Sequence, residues 1–207
     1  MRKVTVLGVV ILLLLSGCAS TTPNDQFNDN TSENDESNST DSATLNINTE
    51  RLDSALITRR SLSSDYVQIG EISRADSDRT TEMENESIKQ WYRRTFRSTS
   101  DSNGPLLITT GIKHYDSSNR AQQAIETATA ESSEVERDVQ QVTIRNDLRI
   151  YQISSQPDTG SYVTTAIHRE GAVVFRAQTI DPNREYDDQA QRLLSEMIFS
   201  VTNQTEQ

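Results

Sequence analysis

The spacing of hydrophobic residues divides the chain into three parts. An almost unbroken apolar run covers residues 4–15, a polar stretch continues to residue 45, and regularly spaced apolar positions begin near residue 46. A polar stretch of this kind cannot bury enough surface to offset the entropy of ordering it, so we predict a disordered tether at 18–45. The remainder, 46–207, is predicted to be one globular domain, which at this size buries roughly two thirds of its unfolded surface.

Helical spacing of apolar residues predicts three helices within the globular domain. Ile88, Trp91 and Tyr92 predict a short helix over 82–92. A longer helix over 117–134 begins at the cap formed by Asp116, Ser117 and Ser118. A third helix is predicted to start at Asp181-Pro182, and its apolar positions are Ala190, Leu193, Leu194, Met197, Ile198 and Val201.

Alternating apolar and polar residues predict strands joined mainly by hairpins. The predicted strands are 66–72, 93–98, 105–115, 139–145, 148–154, 162–168 and 172–180. Ser102-Asn103-Gly104 and Arg169-Glu170-Gly171 are typical of the turns between them. Because hairpin connections produce antiparallel pairing, we predict an α+β fold with a single antiparallel sheet flanked by helices.

The N-terminus is typical of an exported lipoprotein. Arg2 and Lys3 precede the apolar run, which matches a signal peptide over 1–17 and is short for a transmembrane helix. Leu15-Ser16-Gly17-Cys18 then resembles the lipobox of bacterial and archaeal lipoproteins, which implies a lipid on Cys18. A single acyl chain binds membranes only marginally, so stable attachment requires a multi-chain lipid. The alternative is an uncleaved membrane anchor; both interpretations place residues 19–207 outside the cytoplasm, facing the extracellular side.

The charge balance is strongly acidic. The chain has 31 acidic and 20 basic residues, a net charge of −11, and the tether holds six of the acids and no basic residue. No basic patch is visible along the sequence, which argues against nucleic acid and anionic lipid headgroups as partners. Only three basic residues are lysines, which resembles proteins of salt-adapted microbes, especially haloarchaea. The alternative is an ordinary acidic protein.

No catalytic constellation is present in the sequence. Cys18 is the only cysteine, and His114 and His168 are the only histidines, each on a predicted strand without a metal-ligand spacing. We therefore predict no catalytic residue, no metal site, no cofactor and no enzymatic activity. A secreted hydrolase remains an alternative that requires a nucleophile and a base to meet in three dimensions.

Two further groups of residues have alternative interpretations. Asp181, Glu185, Asp187 and Asp188 offer ligands for calcium, but we favour helix N-terminal charges that complement the helix dipole. Trp91 and Tyr92 line either a pocket under the sheet or, as we favour, the core. Candidate glycosylation sites that fit the Asn-x-Ser/Thr pattern are Asn30, Asn38, Asn85 and Asn203.

Two segments resemble PsbP-like domains and the mycobacterial LpqN and PknH sensor-like domains. The strand and helix at Leu106–Ala124, with Tyr115-Asp116-Ser117-Ser118, look like the element that precedes their central helix. Residues 167–174 are similar to their R-x-G-N-x-V turn, but Ala172 stands where that family often has Asn. The resemblance spans roughly 55–202. It implies one antiparallel sheet flanked by helices, in proteins that typically act as extracytoplasmic sensors, ligand-binding modules or assembly factors.

These observations predict a lipid-anchored, cell-surface protein with a non-catalytic binding or sensory domain. Its expected partners are the membrane, through the lipid on Cys18, and an unknown protein or small-molecule ligand. The alternative function is a scaffold or assembly factor for an envelope protein complex.

Overall fold

The computed structural model describes residues 47–99, 104–134, 138–144, 148–155 and 160–202. The predicted signal peptide, the lipobox with Cys18 and the tether up to residue 45 lie outside these residues. So do Asn30, Asn38 and Asn203.

Seven antiparallel strands form one sheet. They are β1 (Tyr66–Arg74), β2 (Ile88–Ser98), β3 (Leu107–Tyr115), β4 (Asp138–Thr143), β5 (Arg149–Ser155), β6 (Tyr162–Glu170) and β7 (Val173–Asp181). Their order across the sheet is β1-β2-β3-β7-β6-β5-β4. Every neighbouring pair is antiparallel. The predicted α+β class, with a single antiparallel sheet flanked by helices, is confirmed.

Three α-helices accompany the sheet in the described part of the chain. They are α1 (Thr81–Asn85), α2 (Ser118–Glu134) and α3 (Asp187–Thr202). Ser117 caps α2 as predicted, because its hydroxyl accepts a hydrogen bond from the Arg120 backbone N–H at 3.3 Å. None of these helices combines the length and apolarity needed to cross a bilayer.

The helix predicted over 82–92 is wrong beyond its first residues. α1 ends at Asn85, Ser87 has a φ of 60°, and β2 begins at Ile88. A register shift between Ile88 and Gln90 puts an extra residue into β2. This irregularity produces the spacing of apolar residues that imitates a helix.

The main core lies between α3 and one face of the sheet, which we call the covered face. It includes Tyr92, Phe96, Ile112 and Phe175, which are all buried. All six predicted apolar positions of α3 pack here: Ala190, Leu193, Leu194, Met197, Ile198 and Val201. A 3₁₀ segment, Thr49–Ala55, covers the same face beside α3.

On the opposite face, α1 and α2 cover only part of the sheet. Ile125 of α2 packs against Ile153 and Ile167 over the strands β5 and β6. Near the start of α2, Ala121 joins a second cluster with Met83 of α1, and this cluster includes Ile88 and Tyr115. α2 packs across β4, β5, β6 and β7 and reaches the end of β3 at Tyr115, and α1 packs against β2. The positions of β1, β2 and β3 that lie away from these contacts are partly or fully exposed on this face.

Candidate ligand-binding face

The part of the sheet that α1 and α2 leave uncovered is the candidate functional site, which we call the open face. The strand registers define its members row by row across β1, β2, β3 and β7. They are Val67, Gly70, Ile72, Arg74, Trp91, Arg93, Thr95, Arg97, Leu107, Thr109, Gly111, Lys113, Arg176, Gln178 and Ile180. These positions are partly or fully exposed.

The open face carries five basic residues and no acidic one. Arg93 is opposite Gly111, and Gly111 is opposite Arg176, so one row across three strands contains two arginines with a glycine between them. Strands lie about 4.8 Å apart, which places the backbones of Arg93 and Arg176 about 10 Å apart. Because Gly111 has no side chain, no side chain separates Arg93 from Arg176 in this row.

Basic residues also repeat along β2. Arg93 and Arg97 lie on the same face of the strand, four residues and about 13 Å apart, and both are exposed. Arg74 lies in the next strand, opposite Trp91. The positive charge of the open face therefore extends along β2 as well as across the sheet.

Trp91, the only tryptophan of the chain, lies next to this charge. The Lys113 Nζ is 4.9 Å from the centroid of its ring, and the Arg93 guanidinium carbon is 5.8 Å from it. Both distances are within the range of cation–π attraction. Lys113 also donates a hydrogen bond of 2.6 Å to Glu86, which follows α1 at the rim of the open face.

Neutral polar groups occupy the middle of the open face. The hydroxyls of Thr95 and Thr109 are 3.3 Å apart, and the Gln178 amide donates to the Thr165 hydroxyl at 3.0 Å. Such groups both donate and accept hydrogen bonds. The open face can therefore bind hydroxyl groups as well as anions.

On the covered face, Arg94 of β2 is hydrogen-bonded to other groups of the protein. Arg94 Nε donates to Glu71 at 3.0 Å, and its Nη1 donates to the Leu56 carbonyl at 3.3 Å. The hydrogen bond from Arg94 holds the pKa of the Glu71 carboxyl below its usual value. Adjacent arginines of β2 thus have separate roles, because Arg94 has a carboxylate partner on one face and Arg93 is exposed on the other.

The structure does not bring the two histidines together. His114 is on β3 and His168 is on β6, and β7 lies between these strands. His168 Nδ1 is 2.9 Å from the Arg149 carbonyl oxygen, so this nitrogen carries the hydrogen and donates it. His114 Nδ1 is 3.3 Å from Gln90 Oε1, and burial, with a smaller effect of Lys89, lowers the His114 pKa.

Two of the four acidic residues near the start of α3 accept hydrogen bonds from protein groups. Asp181 accepts hydrogen bonds from the backbone N–H groups of Leu106 and Asn183, at 3.2 and 2.8 Å. Asp187 accepts from the hydroxyl of Thr164 at 2.8 Å. In the described parts of the chain, no group of three or more His, Cys, Asp or Glu residues is arranged to hold a metal ion. α3 itself begins at Asp187, six residues after the predicted start.

The fold places Trp91 and Tyr92 on opposite faces of the sheet. Tyr92 is buried on the covered face, whereas Trp91 is half-buried on the opposite face beside the second cluster. Asn85 is exposed at the end of α1, and its glycosylation stays a prediction. The lipid attachment at Cys18 also stays a prediction.

The open face is not recognisable along the sequence. Its charges come from four strands that are distant in the chain, and every second residue of each strand faces the other way. The only local signal was in β2, where Arg93 and Arg97 share a face at a spacing of four residues. Arg176 joins the row of Arg93 and Gly111 only because β7 pairs with β3.

Comparison with known proteins supports the fold. No protein-family model and no curated protein sequence matches the chain. Among solved structures, the extracellular domain of PknH from Mycobacterium tuberculosis is similar, with a TM-score of 0.53 and 10% sequence identity. The match covers 76% of this chain and 97% of that domain. At this identity the likeness concerns the fold alone.

Proposed function

We propose that this protein is a lipid-anchored, extracytoplasmic binding or sensory domain without catalytic activity, and that its open face binds an acidic polysaccharide. The observation that carries the proposal is the open face itself, which has five basic residues, no acidic residue and the single tryptophan. This is unusual in a chain with a net charge of −11.

The anchor and the location rest on separate grounds. The lipobox-like Leu15-Ser16-Gly17-Cys18 and the apolar run before it support export and lipid attachment. The PknH domain with a similar fold is an extracellular domain of another protein, which is consistent with this location.

A polysaccharide with carboxylate groups fits the chemistry of the open face. Arginines bind carboxylates through paired N–H donors, and such charge-assisted bonds are among the stronger hydrogen bonds in proteins. The Thr95 and Thr109 hydroxyls and the Gln178 amide lie among them and suit sugar hydroxyls. An extended polymer can contact the arginines along β2 and those across the row at the same time.

The single tryptophan gives a direct binding assay. We expect polygalacturonate to change Trp91 fluorescence of the mature chain with Cys18→Ser at 0.1 M salt, whereas neutral dextran leaves it unchanged. Replacing Arg93 and Arg97 by Gln should weaken binding at least tenfold, since each charge-assisted hydrogen bond is worth about 1.5–3 kcal/mol. Dextran sulfate, tested in parallel, tells whether the face prefers carboxylate or sulfate.

A matched control has the same change of net charge. Arg59 and Arg60 are exposed in a short 3₁₀ segment and are not members of the open face. Their replacement by Gln should leave binding within twofold of wild type. Equal losses in both double variants would mean that net charge alone governs binding, and an unaffected Arg93/Arg97 variant would overturn the proposed function.

A further inference from the structure

We infer that Gly111 is the floor of a subsite for one sugar ring of the acidic polysaccharide, and that the carboxylate of this ring binds Arg93. The inference rests on the proposed function. It names the point of the open face at which the polymer is recognised as a sugar rather than only as a chain of negative charges.

Three of the five glycines in the described residues are required by the fold. Gly160 and Gly171 have positive φ values of 82° and 56°, which residues with a side chain rarely adopt. A Cβ on Gly104 would collide with the hydroxyl oxygen of Tyr66. Each of these glycines therefore has a structural reason that does not involve a ligand.

Gly111 has no such reason. It lies in the middle of β3, and its φ is not positive. A Cβ at this position would be 3.4 Å from the Tyr92 carbonyl oxygen and 4.0 Å from Arg93 Cγ, which are ordinary contacts, so alanine fits. Glycine weakens the strand, because it loses more backbone entropy on folding and has no side chain to pack. A strand glycine that the fold does not require is typical of a place where a ligand comes close to the backbone.

The residues of β2 beside Gly111 carry the groups of a binding site. Arg93 is directly opposite Gly111, and its Cγ is the side-chain atom that a Cβ at position 111 would contact. Trp91 is the diagonal neighbour, since it is opposite Lys113, two residues further along β3. Diagonal neighbours of this kind are about 7–8 Å apart, within reach of long and aromatic side chains. Gly111 itself is partly exposed, so the β3 backbone is accessible beside these two side chains.

The ring of a uronic acid fits these surroundings. It has C–H groups on its two faces, hydroxyls around its edge and a carboxylate attached directly to the ring. Because β3 pairs with a strand on either side, its backbone at Gly111 offers a flat surface rather than hydrogen bonds. A ring on this surface can direct its carboxylate to Arg93 and its hydroxyls to Thr95 and Thr109, about 7 Å further along the strands.

The subsite predicts an effect that charge alone does not. A methyl group at position 111 lifts the ring from the backbone and moves its carboxylate away from Arg93, while the charge of the open face stays the same. Polyglutamate is a polyanion without rings, and its carboxylates are on flexible side chains. It can reach the arginines without contact with the backbone at Gly111.

The test therefore compares two polyanions. The mature chain with Cys18→Ser, alone and with Gly111→Ala or Gly111→Val, is titrated with polygalacturonate and with polyglutamate at 0.1 M salt, and the midpoints of the Trp91 fluorescence change are compared. Gly111→Ala should weaken polygalacturonate binding about fivefold or more, and Gly111→Val further, somewhat less than one methylene changes binding in a closed pocket. Polyglutamate binding should stay within about twofold, because long-range attraction does not depend on one methyl group. Unchanged polygalacturonate binding, or equal losses for both polymers, would overturn the inference.

Gly70 provides a matched control. It is also a strand glycine of the open face, but it is opposite Thr95 on the edge strand β1, and a Cβ there would meet only the Thr95 side chain, at 3.8 Å. Gly70→Ala should leave the binding of both polymers unchanged, and an equal loss in both alanine variants would contradict a subsite at Gly111. Urea unfolding of Gly111→Ala should have the same midpoint as wild type or a higher one, since alanine restricts the unfolded chain. A lower midpoint would mean that the fold requires this glycine, which would also overturn the inference.

The arginine variant distinguishes this inference from the proposed function. If Arg93→Gln/Arg97→Gln binds polygalacturonate weakly while Gly111→Ala binds as the wild type does, the proposed function holds and the subsite is wrong. If the arginine variant binds normally, the proposed function is wrong, and the carboxylate contact of the subsite is wrong with it.

Discussion

Lys113 connects Trp91 to the rim of the open face: its Nζ lies 4.9 Å from the Trp91 ring centroid and 2.6 Å from Glu86. The lysine and glutamate side chains are each about 30% exposed, so solvent screens the ion pair. Because Lys113 contacts both groups, we expect the fluorescence of Trp91 to respond to charge on the open face and to changes at the end of α1.

The first prediction concerns the contacts of Lys113 with Trp91 and Glu86. Replacing Lys113 by Met should shift the emission of Trp91, because the nearest cation is removed from the ring. A double-mutant cycle with Glu86→Gln should give a coupling free energy of about 0.5 kcal/mol in urea unfolding, as expected of a partly exposed pair. An unchanged emission spectrum together with zero coupling would show that the contact does not persist in solution.

The second prediction concerns the attachment of α3 to the sheet. Asp187, the first residue of α3, accepts hydrogen bonds from Thr164 at 2.8 Å and from Ser154 at 3.4 Å. Asp187→Ala should lower the free energy of unfolding by about 1–3 kcal/mol, because two polar groups beside the core lose their acceptor. Asp188→Ala removes an exposed carboxylate from the same helical turn and should change it by less than about 0.5 kcal/mol. Similar losses in both variants would point to the helix dipole rather than to these hydrogen bonds.

The third prediction concerns pH and His114. Its pKa in the folded protein lies below the ordinary value of 6.5, first because of burial and second because of Lys89, although Asp76 and Asp116 act in the opposite direction. The unfolded chain therefore binds the proton more readily, and His114 lowers stability as the pH falls from about 6.5 towards the folded pKa. Above pH 7 the ring is neutral in both states and has no such effect.

Comparison of wild type with His114→Gln isolates this effect. The difference in unfolding free energy between them should be constant above pH 7 and should shift in favour of the variant as the pH decreases below 6.5. Urea unfolding at intervals between pH 5 and pH 8 measures it. A difference that does not change with pH would contradict the assignment to His114.

The fourth prediction concerns the anchor. Metabolic labelling with a lipid precursor should mark the wild-type chain and not Cys18→Ser, and the variant should leave the membrane fraction. Ser16→Ala keeps a small residue in the lipobox and should be labelled normally. Equal labelling of wild type and Cys18→Ser would remove the lipid anchor from the proposed function.

The fold was predictable where one face of an element is strictly apolar. The six buried positions of α3 could be read from the sequence because they all face one core. The prediction failed around β2, where the irregularity at Ile88 and Gln90 disturbs the alternation of strand residues and imitates helical spacing. The open face was beyond sequence reasoning for a different reason, since it depends on β7 pairing with β3, and no local pattern specifies that order.

The irregularity in β1 between Gln68 and Gly70 has a consequence for neighbouring molecules. β1 is an edge strand, and an uninterrupted edge offers its backbone N–H and C=O groups to any passing strand. The lipid anchor proposed on Cys18 would bring copies together edge to edge more often than in free solution. The bulge bends this edge at the exposed Ile69, which makes β1 a poorer template for a strand of an adjacent copy.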